Sequence, residues 1–221
     1  MTSANGPQFP QGHRYAFTLT EILVVVGIVL LLSAILFPIV SKVKQAGQQT
    51  TCASNLRQIG MALQAYTQDS RGVYPPHESY GDNCVWTHRL LRYIKSPSVF
   101  ECPSYPAGLF DSACSKPDLD VNPIQWYNGG YNWNATYPPR LPTLTQNAIR
   151  QPTNMVLVCD GDATYSATMT PVSAPATTVA DLGVNNLRAR HGQGVNALFA
   201  DGHVKWLSLE KLLDKSLWKY R

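Results

Sequence analysis

Between residues 22 and 40 the chain is apolar at every position except Gly27, Ser33 and Pro38. At 1.5 Å per residue a helix over this stretch reaches about 30 Å, the thickness of a bilayer's hydrocarbon layer. A cleaved secretory signal would have an apolar region of about 7–15 residues closed by small residues. Here the run is longer, and it passes into residues 41–49, a polar but helix-compatible stretch. The pattern predicts a permanent membrane anchor. Past Pro38 a helical period resumes: Ala46, Ala53, Leu56, Ile59, Leu63 and Tyr66 recur at three- and four-residue steps, a stripe suited to packing on a globular domain. Asp69-Ser70-Arg71-Gly72 is the expected stop. Residues 17–67 would then form one rod of roughly 75 Å if straight.

Beyond Gly72 prolines cluster and the long period disappears. Residues 86–94 suit a short helix with Trp86, Leu90, Leu91 and Ile94 on one side, whereas residues 101–154 read as loop-rich. Met155 to Cys159 is a short continuous apolar run, predicted to be a central strand. Residues 195–200 and 203–207 flank Asp201-Gly202, a strong hairpin signal. Residues 163–187, rich in Thr, Ala and Ser, read as an exposed loop. The expected fold class is α+β, a long N-terminal helix packed on a small antiparallel sheet.

Composition adds bounds. The 221 residues suffice for one domain plus an appendage, and 14% charged against 44% hydrophobic residues argues against disorder. The net charge of +4 is not gathered into a stripe, so no nucleic-acid partner is expected. Lys211, Lys215, Lys219 and Arg221 interleave with Leu212, Leu213, Leu217 and Trp218 as the solvated side of an amphipathic tail. None of the five cysteines forms a C-x-x-C pair, which speaks against a zinc ribbon or thioredoxin-like site. Cys102 and Cys114 bracket a turn-rich loop and are the expected disulfide, while Cys159 is expected as a buried free thiol.

Glu21 stands out at the lip of the apolar helix. A carboxylate there costs a few kcal/mol in lipid unless it finds a partner; the plainer reading is a first-turn acid favoured by the helix dipole. The segment His13-Arg14-Tyr15-Ala16-Phe17-Thr18-Leu19-Thr20-Glu21 resembles the processing signal of type IV prepilins and type II secretion pseudopilins. The resemblance implies a leader over residues 1–16, a membrane helix over 17–40, its continuation over 41–69 and an extracytoplasmic head over 70–221. It implies cleavage between Ala16 and Phe17 by a prepilin peptidase/methyltransferase on the cytoplasmic side, with N-methylation of Phe17. Glu21 would pair with the α-amino group of a neighbouring subunit's Phe17, and Pro38 stands where the family often carries a helix-breaking proline. Arg14 before the helix and Lys42 and Lys44 after it make a positive-inside count that slightly opposes this orientation.

A second resemblance covers the head. Arg190-His191, nine residues, then Asp201-Gly202-His203-Val204 is similar to the His-x9-Asp-Gly signature of a bacterial group of prepilin-processed proteins. Residues 52–60, Tyr74-Pro75-Pro76 and Phe100-Glu101-Cys102-Pro103-Ser104 extend it. It carries architecture rather than activity. Asp160-Gly161-Asp162 is the candidate calcium loop; the simpler account is strand-end hydrogen bonding at Asp160 and a turn at Asp201-Gly202, with no cofactor. No Ser-His-Asp order, phosphate loop or His-E-x-x-His pattern occurs, so no catalytic residues and no enzyme are expected. The expected function is a structural subunit of a type IV pilus-like or pseudopilus filament, at the inner membrane with other pilin-like subunits as partners. The alternative is a membrane-tethered module whose aromatics, Trp126 and Trp133 among them, bind glycan or envelope components.

Overall fold

The computed structural model describes residues 18–76, 86–104, 109–111, 125–127, 131–134, 144–160, 168–169 and 190–218. Ala16, Phe17, Cys114 and Asp162 lie outside them, as do the side chains of Trp126 and Trp133. The chain divides into two compact units, Met1–Val43 and Lys44–Arg221. Helix α1, Leu19–Asp69, contributes to both.

The helix opens on a capping box. Thr18 Oγ1 accepts from the Glu21 backbone N–H at 3.3 Å, and the Glu21 carboxylate accepts from the Thr18 N–H at 2.8 Å, so two orphan donors of the first turn satisfy each other's residues. Pro38 lies inside α1 without ending it; a proline removes one hydrogen bond, and the remaining ladder holds. Every large apolar side chain between Leu19 and Val43 is exposed, from 49% at Val26 to 82% at Leu19. This is a helix long and apolar enough to cross a membrane. The end follows the Schellman pattern: Gly72 N donates to Thr67 O at 2.7 Å, and Arg71, at φ 54°, occupies the left-handed position ahead of Gly72.

In the second unit α1 buries Cys52, Asn55, Leu56, Ile59, Gly60, Ala62, Leu63 and Thr67. The buried stripe is rotated slightly from the expected one: Ala46 is exposed, while Cys52 and Thr67 are fully covered. The short helix α2, Trp86–Leu90, is followed by a turn, and Trp86, Leu90 and Ile94 join the same core. Strands β1 (Leu109–Asp111) and β2 (Gln125–Tyr127) form a two-stranded ladder. Strands β3 (Tyr131–Asn134), β4 (Val156–Asp160), β5 (Thr168–Met169), β6 (Gly194–Phe199) and β7 (Val204–Ser208) form a sheet in the order β5-β3-β4-β6-β7. It is antiparallel except at the edge, where β5 runs parallel to β3. The arrangement is α+β, as the sequence pattern predicts. Strands β1, β2 and β3 arise within the stretch read as loop, and β5 within residues 163–187, because strands of two to four residues leave no periodicity to read.

The central strand β4 is buried at all five positions. One set of residues, including Leu157, Val158 and Leu198, packs with α1 and Trp86. The other, including Val156, Cys159, Val195 and Phe199, packs with Leu207, Leu212, Leu217 and Trp218. The C-terminal tail therefore covers the second face as two 3-10 turns, Lys211–Leu213 and Lys215–Trp218. Leu157 and Val158 share a face because the pairing with β6 slips between Val156 and Val158. Such a bulge reverses the alternation for every residue that follows it.

The hairpin β6–β7 turns through residues 200–203, with Gly202 at φ 94° and its N–H donating to Phe199 O at 2.9 Å. At the other end Gly194 has no room for a side chain: a Cβ would stand 2.4 Å from Leu207 O and from the Trp206 ring. The backbone oxygen cannot withdraw without breaking the ladder. Gly194→Ala is therefore expected to destabilise the head by about 3 kcal/mol, read as a lowered urea midpoint, whereas Gly47→Ala, which meets nothing within 4 Å inside a helix, should not lower that midpoint.

Candidate functional site: a buried Cys-Cys-Asp-His cluster

Four side chains from four separate segments converge in the head: Cys52 on α1, Cys102 after the 3-10 turn Pro97–Phe100, Asp160 at the end of β4 and His191 before β6. Their donor atoms all lie within 4.8 Å of one another. All four are buried, at 0%, 2%, 0% and 3% exposure respectively, so solvent-borne substrate has no direct approach to them.

Each is held by groups of the surrounding fold. The helix face carrying Gln48, Cys52 and Asn55 grips the segment bearing Cys102. Asn55 Nδ2 donates to Glu101 O at 3.0 Å and Gln48 Nε2 to Pro103 O at 2.9 Å. Cys102 is thus fixed from both sides, opposite Cys52. Tyr131 OH, from β3, donates to Cys52 O at 3.4 Å. Asp160 points toward this side because of the β4 bulge, and its Oδ2 accepts from Asn196 N at 2.7 Å. His191 sits where residues 192 and 193 adopt φ of 61° and 64°, and its carbonyl accepts from Trp206 Nε1 at 2.8 Å. Its Nε2 lies 3.2 Å from Asp160 Oδ2 and 3.6 Å from Cys102 Sγ. Among the described residues, Asp160 Oδ1 and His191 Nδ1 are buried without a hydrogen-bond partner.

The cluster separates its charges. A hydrogen bond from Cys52 and the nearby His191 pull the Cys102 thiol down from 9.0 to about 4, against its burial. The same bond, together with burial, pushes Cys52 well above the thiol range. Burial alone would lower His191, but its bonds to Asp160 and Cys102 outweigh it and raise the imidazole to about 9. Burial raises Asp160. The two thiols are thus pushed apart, Cys102 down and Cys52 up, with the imidazole of His191 pushed up beside them.

Of the expected site residues, His191 and Asp160 come together. Asp201 does not join them: it lies at the opposite end of β6, where its Oδ1 bonds His203 Nδ1 at 2.6 Å and caps the His203 N–H at 3.1 Å. Asp201 and Gly202 thus serve the turn. Asp160 is enclosed among sulfur and nitrogen donors, a setting that does not suit calcium, which takes six to eight oxygens. Cys102 is a free thiol facing Cys52, and Cys159 is a buried cysteine on the other face of the sheet. Cys52 was not singled out as a site residue, although its place one turn before Leu56 puts it on the buried stripe. The segments around Cys52, Cys102 and His191, three of those carrying the sequence resemblance, meet here.

A thiolate stabilised by folding contributes most above its unfolded value and loses that contribution as pH falls through its folded value. The stability difference between the wild type and Cys102→Ser, measured on reduced protein with chelator present, should therefore grow as pH rises from about 4 toward 9.0. A difference that is flat across this range would show that Cys102 does not ionise in the fold. Comparison with protein-family models, with curated proteins and with solved structures gives no match to the chain.

Proposed function

We propose that the chain is a pilin-like structural subunit, processed by a prepilin peptidase between Ala16 and Phe17 and assembled into a pilus-like or pseudopilus filament through α1. The observation that carries this reading is the division of one helix into two parts. Its large apolar side chains from Leu19 to Val43 are all exposed, whereas from Cys52 onward it supplies the core of the head. Each Leu, Val or Ile left in water forgoes about 1.5–3 kcal/mol. The first part therefore calls for lipid before assembly and for neighbouring helices after it. A tethered soluble domain needs only the lipid.

Glu21 has two tasks under this proposal. Within the chain its carboxylate closes the capping box with Thr18. Between subunits it would meet the α-amino group of a neighbour's Phe17, neutralising both charges and setting the axial register. Substitution separates the tasks, because Gln also serves at the third position of a capping box. Glu21→Gln and Glu21→Ala should both insert in the membrane and both fail to enter filaments. Normal assembly of either variant would remove the charge pair from the proposal, and assembly of Gln alone would assign Glu21 to the cap. Intact mass of the mature chain tests processing separately: it should correspond to a start at N-methylated Phe17, and retention of Met1 would overturn the prepilin reading.

A further inference from the structure

We propose that Cys52, Cys102, Asp160 and His191 form a closed tetrahedral site for a single divalent zinc ion, which pins α1 to the sheet of the head. All four donor atoms lie within 4.8 Å of one another, and two of the distances between them match a tetrahedral zinc site. Zinc binds sulfur at about 2.3 Å and nitrogen or oxygen at about 2.0–2.2 Å. Tetrahedral angles then place neighbouring S and N donors about 3.6 Å apart and N and O donors about 3.3 Å apart. The observed Cys102 Sγ to His191 Nε2 distance is 3.6 Å and the His191 Nε2 to Asp160 Oδ2 distance is 3.2 Å.

A plain hydrogen-bonded cluster accounts for this less well. Charge-assisted N–H···O bonds close to about 2.7–2.9 Å, and the exposed His203–Asp201 pair of this chain is closer still, at 2.6 Å. The buried pair stands off by 0.6 Å more, by the difference between 3.2 and 2.6 Å. Asp160 Oδ1 is also sealed from water with no donor among the described residues, a costly state for a carboxylate oxygen that a cation beside the carboxylate relieves. The donor set selects the ion: two sulfurs and an imidazole favour zinc over calcium or magnesium. Four protein ligands in a buried pocket leave no open position, which marks a structural rather than a catalytic site.

The ligands come from positions 52, 102, 160 and 191, so one ion would cross-link the helix, the segment after the Pro97–Phe100 turn, the end of β4 and the residues just before β6. Metal held by the native fold and not by the unfolded chain adds its binding free energy to stability.

The test uses the full-length chain in detergent, stripped of metal under reducing conditions and titrated with Co2+. One equivalent should bind with thiolate-to-cobalt charge-transfer absorption in the near ultraviolet and tetrahedral ligand-field bands in the visible, and Zn2+ should displace it. Asp160→Asn should weaken Zn2+ binding by at least about tenfold, since even outer-shell partners of a metal contribute that much. Cys52→Ser and Cys102→Ser alter core residues, so wild-type melting gives a second readout: Zn2+ should raise the midpoint, with a smaller rise in Asp160→Asn. Binding of Co2+ to folded wild type without thiolate absorption would overturn the proposal. So would isolation of the native chain with a Cys52–Cys102 disulfide, found by peptide mass mapping, and no bound metal.

Discussion

Burial of the Cys52-to-Thr67 stripe of α1 against the sheet is the contact on which the head is built. Leu56, Ile59 and Leu63 recur at helical steps and are fully covered by the residues of β4, β6 and α2 that share their core. A helix can bury only one face this way without strain, and the polar groups flanking that face then become fixed points. Gln48 and Asn55 use those points to grip the backbone of residues 101 and 103. The same stripe therefore supplies hydrophobic area, which is non-directional, and two amide hydrogen bonds, which set position.

The bulge in β4 is the second constraint. A strand buried on both faces has no polar side to declare its register, so an inserted residue can reverse the alternation without exposing apolar surface. In β4 this sends Cys159 to the face covered by Leu212, Leu217 and Trp218, and Asp160 to the face of α1. An acid in that interior would be costly alone. Asn196 N–H and His191 meet one of its oxygens, and Cys52 and Cys102 stand with His191 around it.

The N-terminal part of α1 obeys a different physics. Its apolar residues run around the whole helix, so no single face is selected for packing. Only its start is locally specified, by the Thr18–Glu21 capping box. That box is a sequence signature, a threonine followed three residues later by a glutamate, and it was legible without coordinates. Reading Glu21 for its charge alone passes over it.

What the sequence determined by itself follows from local period and turn chemistry. The 51-residue helix, its stop near Gly72, the central strand ending at Asp160, the Asp201-Gly202 turn and the amphipathic tail all repeat or punctuate over a few residues. The meeting of Cys52 with Cys102, and of both with Asp160 and His191, has no such trace. It depends on the amide clamps from α1, on a one-residue slip in β4 and on the left-handed loop before β6. Nearness along the chain pointed Cys102 toward Cys114, whereas the fold sets it beside Cys52. Side-chain neighbours in a core are chosen by packing between distant segments, and only the tertiary structure records that choice.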